Sequence, residues 1–365
     1  MRYLFFPLTL LLCFTLNVPA FAQQPPNVIL LIGDGMGVPQ VSSAFYFGEG
    51  TPHFQRFTKI GLVKTNSVSN KVTDSAAAAT AIATGVRSYN RAISVSPDTV
   101  AVPTILEQLR EEYGYRTGLV SLTSITHATP ACFYAHVADR DQHEDIAAHL
   151  VGSGVDFFAG GGLDYFRRRS DGRDLYRELA AQGYRLDSLQ LSAADPDRKN
   201  GYLLAPESLP SKVEGRGDFL PDAARMGLDY LSHQEAPFFF MVEGSYIDWA
   251  GHAENDTMLI REVADFDKTL GILLDYVEEH PNTLLIVTAD HETGGVSLAK
   301  SYHSQVVFGQ RKEIPDEVAV SFNSNQHSAE LVPIFAKGAG EDHFPGIYQN
   351  NEIFTRLLRA VRTEQ

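Results

Sequence analysis

Residues 27–37 of the chain read NVILLIGDGMG. The uninterrupted apolar run over 27–32, followed by glycine, predicts a β-strand that is buried on both faces. The Gly-Asp-Gly turn after it places Asp34 at the carboxyl end of that strand. A dinucleotide-binding fingerprint is excluded, because G-x-G-x-x-G requires glycine where the sequence has Val38. The stretch therefore predicts the first strand of an α/β protein with an acidic side chain at its end.

Five more apolar runs have the same character as this strand. They are predicted strands at 117–122, 155–159, 237–242, 283–288 and 331–336. Helical periodicity lies between them, at 102–113, 143–151, 221–233 and 256–279. Strands that alternate with helices predict a doubly wound α/β fold, with a mostly parallel central sheet and helices on both faces.

The chain is predicted to consist of a signal peptide followed by one folded domain. Residues 1–22 are predicted to be a signal peptide, because Arg2 precedes an apolar run over 3–16 and an Ala20-Phe21-Ala22 cleavage signal. That run is shorter than the ~20 residues of a spanning helix, so we expect no stable membrane insertion. Residues 23–365 are predicted to form a single catalytic domain with insertions near 165–220 and 298–325, which are polar and rich in turn signals. The mature protein is expected to be exported, to the periplasm or the medium.

Charge and cysteine content limit the partners and the cross-links. The formal net charge of −15 argues against a nucleic-acid partner. It also means that an anionic substrate must be attracted by local cations, such as bound metals and a nearby arginine. Of the two cysteines, Cys13 lies in the predicted signal peptide, so Cys132 is expected to be free.

Polar residues follow four of the predicted strands. Ligands in open α/β sheets bind at the carboxyl ends of the strands, so these residues are expected to meet at one edge. Any one of these loops alone is also compatible with an ordinary turn, a surface helix pair or a solvated strand end. All four together predict a polynuclear metal site, because Asp, Glu and His are ligands for zinc and magnesium. The four segments contribute Asp34, Thr126 to Pro130, Glu243 to His252, and Asp290 to Gly295.

A candidate nucleophile lies in the segment Thr73-Asp74-Ser75, which precedes a run of small residues ending at Gly85. The run predicts a helix capped by Asp74 or Ser75. Capping is the commoner role of such a serine. A helix N-terminus also binds anions, and a hydroxyl there beside a metal can attack phosphorus.

These segments together resemble the alkaline phosphatase family. The resemblance runs in the family's order from 32 to 327, most of the chain without its predicted signal peptide. Its motifs are Ile32-Gly33-Asp34-Gly35-Met36-Gly37, Thr73-Asp74-Ser75-Ala76, Thr129-Pro130-Ala131 with Arg140, Val242-Glu243-Gly244 through His252, Thr288-Ala289-Asp290-His291 and Asn325-Gln326-His327-Ser328.

The resemblance implies the reaction and the role of each residue. Phosphate monoesters would be hydrolysed to alcohol and inorganic phosphate through a phosphoserine on Ser75, with Arg140 binding two phosphate oxygens. The cofactors would be two Zn²⁺ and one Mg²⁺. The implied metal ligands are Asp248, His252 and His327 for one zinc; Asp34, Asp290, His291 and Ser75 for the second; and Asp34, Thr129 and Glu243 for magnesium.

Two positions depart from the enteric bacterial pattern of the family. His127 stands where that pattern has Asp, and Trp249 stands where it has Lys; the pair is similar to the variant of several marine and cold-adapted bacterial enzymes. Imidazole suits zinc better than magnesium, so the third site could hold zinc, with His127 as a ligand or ordering a water. Both residues are assigned to substrate binding, and Trp249 is expected to weaken product binding. The family expectation is a homodimer, with a monomer as the alternative.

Two other functions stay open at this point. A phosphodiesterase on the same scaffold is the nearer one, although Arg140 favours the more highly charged monoester. A sulfatase is excluded, because Cys132 is not followed by the C/S-x-P-x-R pattern. An exported phosphate- or metal-binding protein without catalysis would require a broken ligand set or nucleophile, and every matched position is intact.

Overall fold

The computed structural model describes residues 24–307 and 310–362. The predicted signal peptide, 1–22, lies outside these residues. The strands are β1 (Asn27–Gly33), β2 (Lys59–Lys64), β3 (Arg116–Ser124), β4 (Phe157–Gly161), β5 (Arg185–Asp187), β6 (Asn200–Leu203), β7 (Phe238–Gly244), β8 (Thr283–Thr288), β9 (Glu292–Thr293), β10 (Ser297–Val307), β11 (Gln310–Ser321), β12 (His327–Ser328), β13 (Val332–Gly338) and β14 (Gly346–Gln349). The helices are α1 (Val38–Phe47), α2 (Ser75–Thr84), α3 (Ile105–Tyr113), α4 (Ala128–Ala131), α5 (His143–Ser153), α6 (Leu163–Arg167), α7 (Leu175–Ala181), α8 (Phe219–Ser232), α9 (Tyr246–His252), α10 (Asp256–Glu279) and α11 (Glu352–Val361).

A central sheet of ten strands organises the molecule. Its order is β14-β2-β13-β8-β1-β7-β3-β4-β6-β5. Within this sheet β13 runs antiparallel to both of its neighbours, and the other pairings are parallel. Every residue of β7 and β8 is buried, so both faces of the sheet must be covered, and the helices lie around it. The prediction of a mostly parallel α/β fold is confirmed.

The predicted strands and helices all exist, with ends shifted by at most three residues. Helix α10 has the predicted bounds, because its apolar residues form one continuous face and its start is capped by the Asn255 side chain, which accepts from the Met258 N–H. That face, including Leu259, Phe266 and Leu273, is fully buried. Strands β2, β5, β6 and β14 were not predicted, because they are short or alternate in burial and their pairing depends on neighbours distant in sequence.

The two segments predicted as insertions differ from each other in the structure. The segment near 165–220 contributes β5 and β6 to one edge of the central sheet, with Asn200 of β6 opposite Phe157 of β4. The segment near 298–325 instead lies in an antiparallel hairpin of β10 and β11 that forms a separate two-stranded sheet. The first segment therefore belongs to the core architecture, and the second is an addition to it.

In the part of the chain that the structure covers, no helix combines the length and the apolar character needed to cross a bilayer.

Candidate active site

Four adjacent strands of the sheet deliver the predicted site residues. The order β8-β1-β7-β3 places the carboxyl ends of these strands side by side, although they are far apart in sequence. Asp34 follows β1, and Glu243 lies at the end of β7, which leads into α9. His127 follows β3, and Asp290 follows β8. The parallel geometry thus brings together the four segments that the sequence singled out.

The first ligand group consists of Asp248, His252 and His327, whose side-chain atoms lie within 4.8 Å of one another. Asp248 and His252 are one turn apart on α9, with 3.4 Å between Asp248 Oδ1 and His252 Nε2. His327 comes from β12, and its Nε2 lies 3.1 Å from His252 Nε2 and 3.5 Å from Asp248 Oδ1. The two imidazole nitrogens and the carboxylate therefore face a common point.

The second group consists of Asp34, Asp290 and His291, all fully buried. His291 Nε2 lies 3.2 Å from Asp290 Oδ2 and 3.5 Å from Asp34 Oδ1. The other oxygen of Asp290 accepts from the backbone N–H of Gly35 at 3.1 Å and of His291 at 2.9 Å, which fixes the carboxylate. Ser75 Oγ lies 3.1 Å from His291 Nε2, so the candidate nucleophile borders this group.

The third group shares Asp34 with the second and adds His127 and Glu243. Ser121 of β3 donates to one oxygen of Glu243 at 2.6 Å. Thr129 lies on the short helix α4 that begins after His127, and it is fully buried. Asp34 is thus a member of two ligand groups, and its position between two metals stays a prediction.

Several oxygen and nitrogen atoms of these groups are buried without a hydrogen-bond partner. A buried polar atom left unpaired costs about 1–3 kcal/mol, and a charged one costs more. A cluster of such atoms on ligand-type side chains therefore fits bound cations. The atoms are both carboxylate oxygens of Asp34, Glu243 Oε1, Asp290 Oδ2, Thr129 Oγ1 and His127 Nδ1.

The acid–base properties of the carboxylates show how closely their charges are placed. Burial and the neighbouring Asp290, Asp248 and Glu243 carboxylates raise the pKa of Asp34 well above its usual value. Burial is also the main cause that raises the pKa of Glu243 to about 7 and the pKa of Asp290 to about 6. Cations at this place would relieve the repulsion and return the groups to their ionised form.

The histidines of the first two ligand groups are oriented by hydrogen bonds at the ring nitrogen that points away from the group. His252 Nδ1 faces the backbone carbonyl of Asn325 at 2.7 Å, and His327 Nδ1 faces that of Thr73 at 2.9 Å. Carbonyl oxygens only accept, so each Nδ1 carries a proton, and Nε2 is the ring atom that can offer a lone pair to a cation in the ligand group.

Thr293 performs the same task for His291 and was not identified from the sequence. Its Oγ1 donates to Asp248 Oδ1 and lies 3.2 Å from His291 Nδ1, so it accepts from that nitrogen. One hydroxyl therefore links a residue of the first group to a residue of the second. The available sequence signal was a threonine two positions after His291. Its role depends on the pairing of β9 with β12, the strand that carries His327.

Helix α2 places Ser75 at its first position. Asp74 is the N-cap, and its side chain accepts from the Ala77 N–H at 3.0 Å. The helix ends at Gly85, whose φ of 73° is the left-handed conformation that glycine adopts easily. All ten residues of α2 are buried, which the run of alanines permits because small side chains pack closely. Of the two predicted caps, the structure selects Asp74 and leaves the Ser75 hydroxyl free to face the site.

Arg140 and Trp249 lie at the margin of the ligand groups. Arg140 Nη1 donates to Asp74 Oδ2 at 3.2 Å, and Nη2 lies 3.2 Å from His127 Nε2. Burial and the Arg140 charge lower the pKa of His127 to about 3, so its imidazole is neutral. Trp249 follows Asp248 on α9, remains 36% exposed, and contacts Tyr246 edge-on at 4.6 Å between ring centroids.

Comparison with known proteins agrees with this fold. The family model described as alkaline phosphatase matches residues 26–318. Alkaline phosphatase 3 of Bacillus subtilis is 36% identical, with 92% of this chain and 89% of that protein covered. The alkaline phosphatase of Escherichia coli is 31% identical, with 92% and 86% covered. Among solved structures, the alkaline phosphatase of the Antarctic bacterium TAB5 is 44% identical, with a TM-score of 0.89 over 94% of this chain and all of that one.

The fold and the comparisons define a phosphatase enzyme. The chain belongs to the alkaline phosphatase family. Phosphate monoesters fit this family as substrates, and the family and the three ligand groups support metal cofactors. A histidine-to-aspartate variant of the TAB5 enzyme is described with Mg bound in its M3 site.

Proposed function

We propose that this phosphatase hydrolyses phosphate monoesters through a phosphoserine on Ser75, with metals held by the three ligand groups. The observation that carries the proposal is the position of the Ser75 hydroxyl. It lies at the start of a buried helix, 3.1 Å from His291 Nε2, beside carboxylate oxygens that have no partner in the protein. A serine that only capped the helix would not need this surrounding.

The ligand chemistry supports an assignment of the cofactors. Asp248, His252 and His327 would hold one Zn²⁺, and Asp34, Asp290 and His291, with Ser75, would hold the second. Asp34, Thr129 and Glu243 offer the oxygen ligands that suit Mg²⁺, and the nearby imidazole of His127 makes Zn²⁺ the alternative. Bound metals would supply charge stabilisation and lower the pKa of coordinated hydroxyl groups and water. The Mg-bound TAB5 variant supports magnesium at such a third site once an acid replaces histidine.

The protein's own groups bind and orient the phosphate. The first N–H groups of α2 lie at a helix N-terminus, which attracts anions. The Arg140 guanidinium is held by Asp74 and has the planar fork that suits two phosphate oxygens. Ser75 is 2% exposed, so little water competes with the substrate at its hydroxyl. Attack by Ser75 Oγ on phosphorus would break the bond to the ester oxygen, which leaves as the alcohol after taking up a proton. Water would then break the bond between Ser75 Oγ and phosphorus, which releases inorganic phosphate and returns a proton to the hydroxyl.

The test is hydrolysis of p-nitrophenyl phosphate from pH 7 to 10 with Zn²⁺ and Mg²⁺, with and without EDTA. Ser75→Ala and the exposed-residue control Ser232→Ala are assayed alongside. We expect EDTA and Ser75→Ala each to abolish turnover and Ser232→Ala to retain it. Acid quenching during turnover should yield a phosphopeptide that contains Ser75.

The same assay distinguishes the alternatives. No monoester hydrolysis by the metal-loaded protein, with turnover of bis(p-nitrophenyl) phosphate, would replace the proposal with a phosphodiesterase. If the protein hydrolyses neither substrate, a phosphate- or metal-binding protein without catalysis is favoured.

We further propose a homodimer that is exported to the periplasm or the medium. Phe45 and Tyr46 on α1 are 48% and 64% exposed, and α1 packs beside β10 of the hairpin. Large exposed apolar side chains next to an added hairpin support a contact with a second copy. Sedimentation of the native protein and of Phe45→Ser/Tyr46→Ser tests the dimer, and a native monomer would refute it. Cell fractionation tests export.

A further inference from the structure

Arg140 lies between two acidic residues, Asp139 and Asp141. Their side chains are 42% and 73% exposed, and both residues are direct neighbours of Arg140 in the sequence. Unrestrained carboxylates here could pair with the Arg140 guanidinium or repel an anionic substrate. Phosphate binding by Arg140 would therefore be stronger if another cation held the carboxylates of Asp139 and Asp141.

The Arg91 side chain donates hydrogen bonds to the carboxylates of both Asp139 and Asp141. Its Nε donates to Asp139 Oδ2 and its Nη2 donates to Asp139 Oδ1, each at 2.8 Å, which is a bidentate pair. Nη2 also donates to Asp141. The hydrogen bonds from Arg91 are the largest cause that lowers the pKa of Asp139 to about 2. The acids on both sides of Arg140 thus share one positive charge that is not Arg140's own.

The backbone of Arg91 is connected to the same place. Its N–H lies 3.0 Å from both oxygens of Asp74, and its carbonyl accepts from the Arg140 N–H at 2.9 Å. Asp74 in turn accepts from the Arg140 guanidinium and caps α2. Arg91 adopts a φ of 80°, an uncommon conformation for a residue with a side chain. One residue therefore contacts the backbone of Arg140, its aspartate partner and both flanking acids.

We propose that Arg91 is a positioning residue for phosphate binding: it holds Asp139 and Asp141 away from Arg140, so that the Arg140 guanidinium stays with Asp74 and faces the substrate. This rests on the proposed phosphate-binding role of Arg140. Arg91 itself need not contact the substrate.

The test measures the inhibition constant of inorganic phosphate, with KM and kcat, on the metal-loaded enzyme. Arg91→Gly is the first variant, because glycine tolerates a positive φ and removes the side chain without backbone strain. We expect phosphate binding to weaken by about tenfold, with a larger effect on KM than on kcat, which is the change that about 1.4 kcal/mol of lost interaction produces. Arg177→Ala, an exposed arginine paired with Asp174, is the control and should change nothing.

Rescue separates positioning from a structural role. In Arg91→Gly/Asp139→Asn/Asp141→Asn the competing charges are gone, so phosphate affinity should return to within about threefold of the native value. If Arg91 only stabilised this segment, removing its partners as well would not restore affinity. Failure of the rescue therefore overturns the inference.

Arg140→Ala distinguishes this inference from the proposed function. If Arg140→Ala weakens phosphate binding and Arg91→Gly leaves it within twofold of native, the inference alone is wrong. If Arg140→Ala also leaves it unchanged, the proposed role of Arg140 is wrong.

Discussion

The site has two sides that accommodate charge in opposite ways. The acidic centre, defined as the three ligand groups around Asp34, has buried carboxylates and leaves several of their oxygens without a partner. The arginine side, formed by Asp74, Arg91 and Arg140 with the acids next to Arg140, is partly exposed, and its charged groups pair with one another. The charges of the acidic centre are therefore not balanced by the protein alone, whereas each charged group of the arginine side has a partner of opposite charge.

This difference has a consequence for stability. Buried like charges destabilise a folded protein unless something compensates for them, so the acidic centre should raise stability only when cations are bound. The arginine side should be organised with or without metal. Substitutions on the two sides should thus differ in how their effects depend on metal.

Asp34→Asn should have the largest effect and the clearest dependence on metal. Asp34 belongs to two ligand groups, and both of its oxygens lack a partner. Loss of its charge should lower kcat/KM by about a thousandfold or more, because metal charge stabilisation contributes several kcal/mol. Metal content per chain, measured by mass spectrometry, should fall at the same time.

The same substitution should raise the melting temperature of the metal-free protein, since it removes one of several mutually repelling buried carboxylates. Calorimetry in EDTA compares it with the native chain and with Asp164→Asn on α6, a control outside the acidic centre. If the metal-free variant has a melting temperature equal to or below that of the metal-free native protein, repulsion among the buried carboxylates does not destabilise the metal-free fold.

Thr293→Val should have the next largest effect. It removes the hydroxyl that donates to Asp248 and accepts from His291, and changes the volume little. Loss of such an orienting hydrogen bond typically costs 10–100-fold in metal affinity or activity, so we expect about that loss in zinc affinity, measured by competition with a chelator. Thr293→Ser keeps the hydroxyl and should stay near native. Equal zinc affinity in the valine variant would show that the ligands are oriented without it.

Trp249→Lys should strengthen the binding of inorganic phosphate. A cation next to Asp248 would add attraction for phosphate that the exposed indole does not supply, so the inhibition constant of inorganic phosphate should fall, by up to about tenfold for a partly exposed charge. Trp249→Gln is the uncharged control and should not tighten binding. An unchanged inhibition constant for the lysine variant would remove the argument that Trp249 weakens product binding.

Sequence reasoning succeeded where one local feature fixes the outcome. Strands β1, β3, β7 and β8 are long apolar runs buried on both faces, and parallel geometry places the residues after them at one edge. Asp34, Glu243, Asp248 and Asp290 could therefore be placed together from the amino-acid sequence alone. The separate sheet formed by the β10–β11 hairpin was not deduced, because the segment is polar and rich in turn signals.

The missed features depend on side-chain directions and on contacts between distant segments. Thr293 bridges two ligand groups only because β9 pairs with β12, and both strands have two residues. Arg91 meets Asp139 across 48 positions of sequence, at a backbone conformation that no local pattern signals. The role of each predicted ligand, the oligomeric state and the export signal stay predictions, which the experiments above address.

The smallest predicted effect concerns His136, on the segment that leads to Arg140. Its Nε2 lies 3.0 Å from Glu107 Oε1 and its Nδ1 lies 2.8 Å from the Ser94 carbonyl, so both ring nitrogens face acceptors. Burial opposes protonation, but the hydrogen bonds to Glu107 and Ser94 outweigh it and raise the pKa of His136. His149 of α5 lies edge-on to the ring at 5.9 Å between centroids, with Asp145 on the same helix, and both remain when His136 is replaced.

A raised pKa in the folded state means that the proton stabilises the fold. The contribution is complete below the unfolded pKa of about 6.5 and is lost as the pH rises through the higher folded value. His136→Gln should therefore cost about 1.5–3 kcal/mol of unfolding free energy at pH 5.5, the usual size for a hydrogen bond to a charged group, and less at pH 9. Denaturant unfolding of both proteins at the two pH values measures this difference. A cost that does not decrease between pH 5.5 and 9 would show that the imidazole acts by packing alone. A decrease would show that the proton on His136 stabilises the fold at acidic pH and that this contribution is lost in the alkaline range.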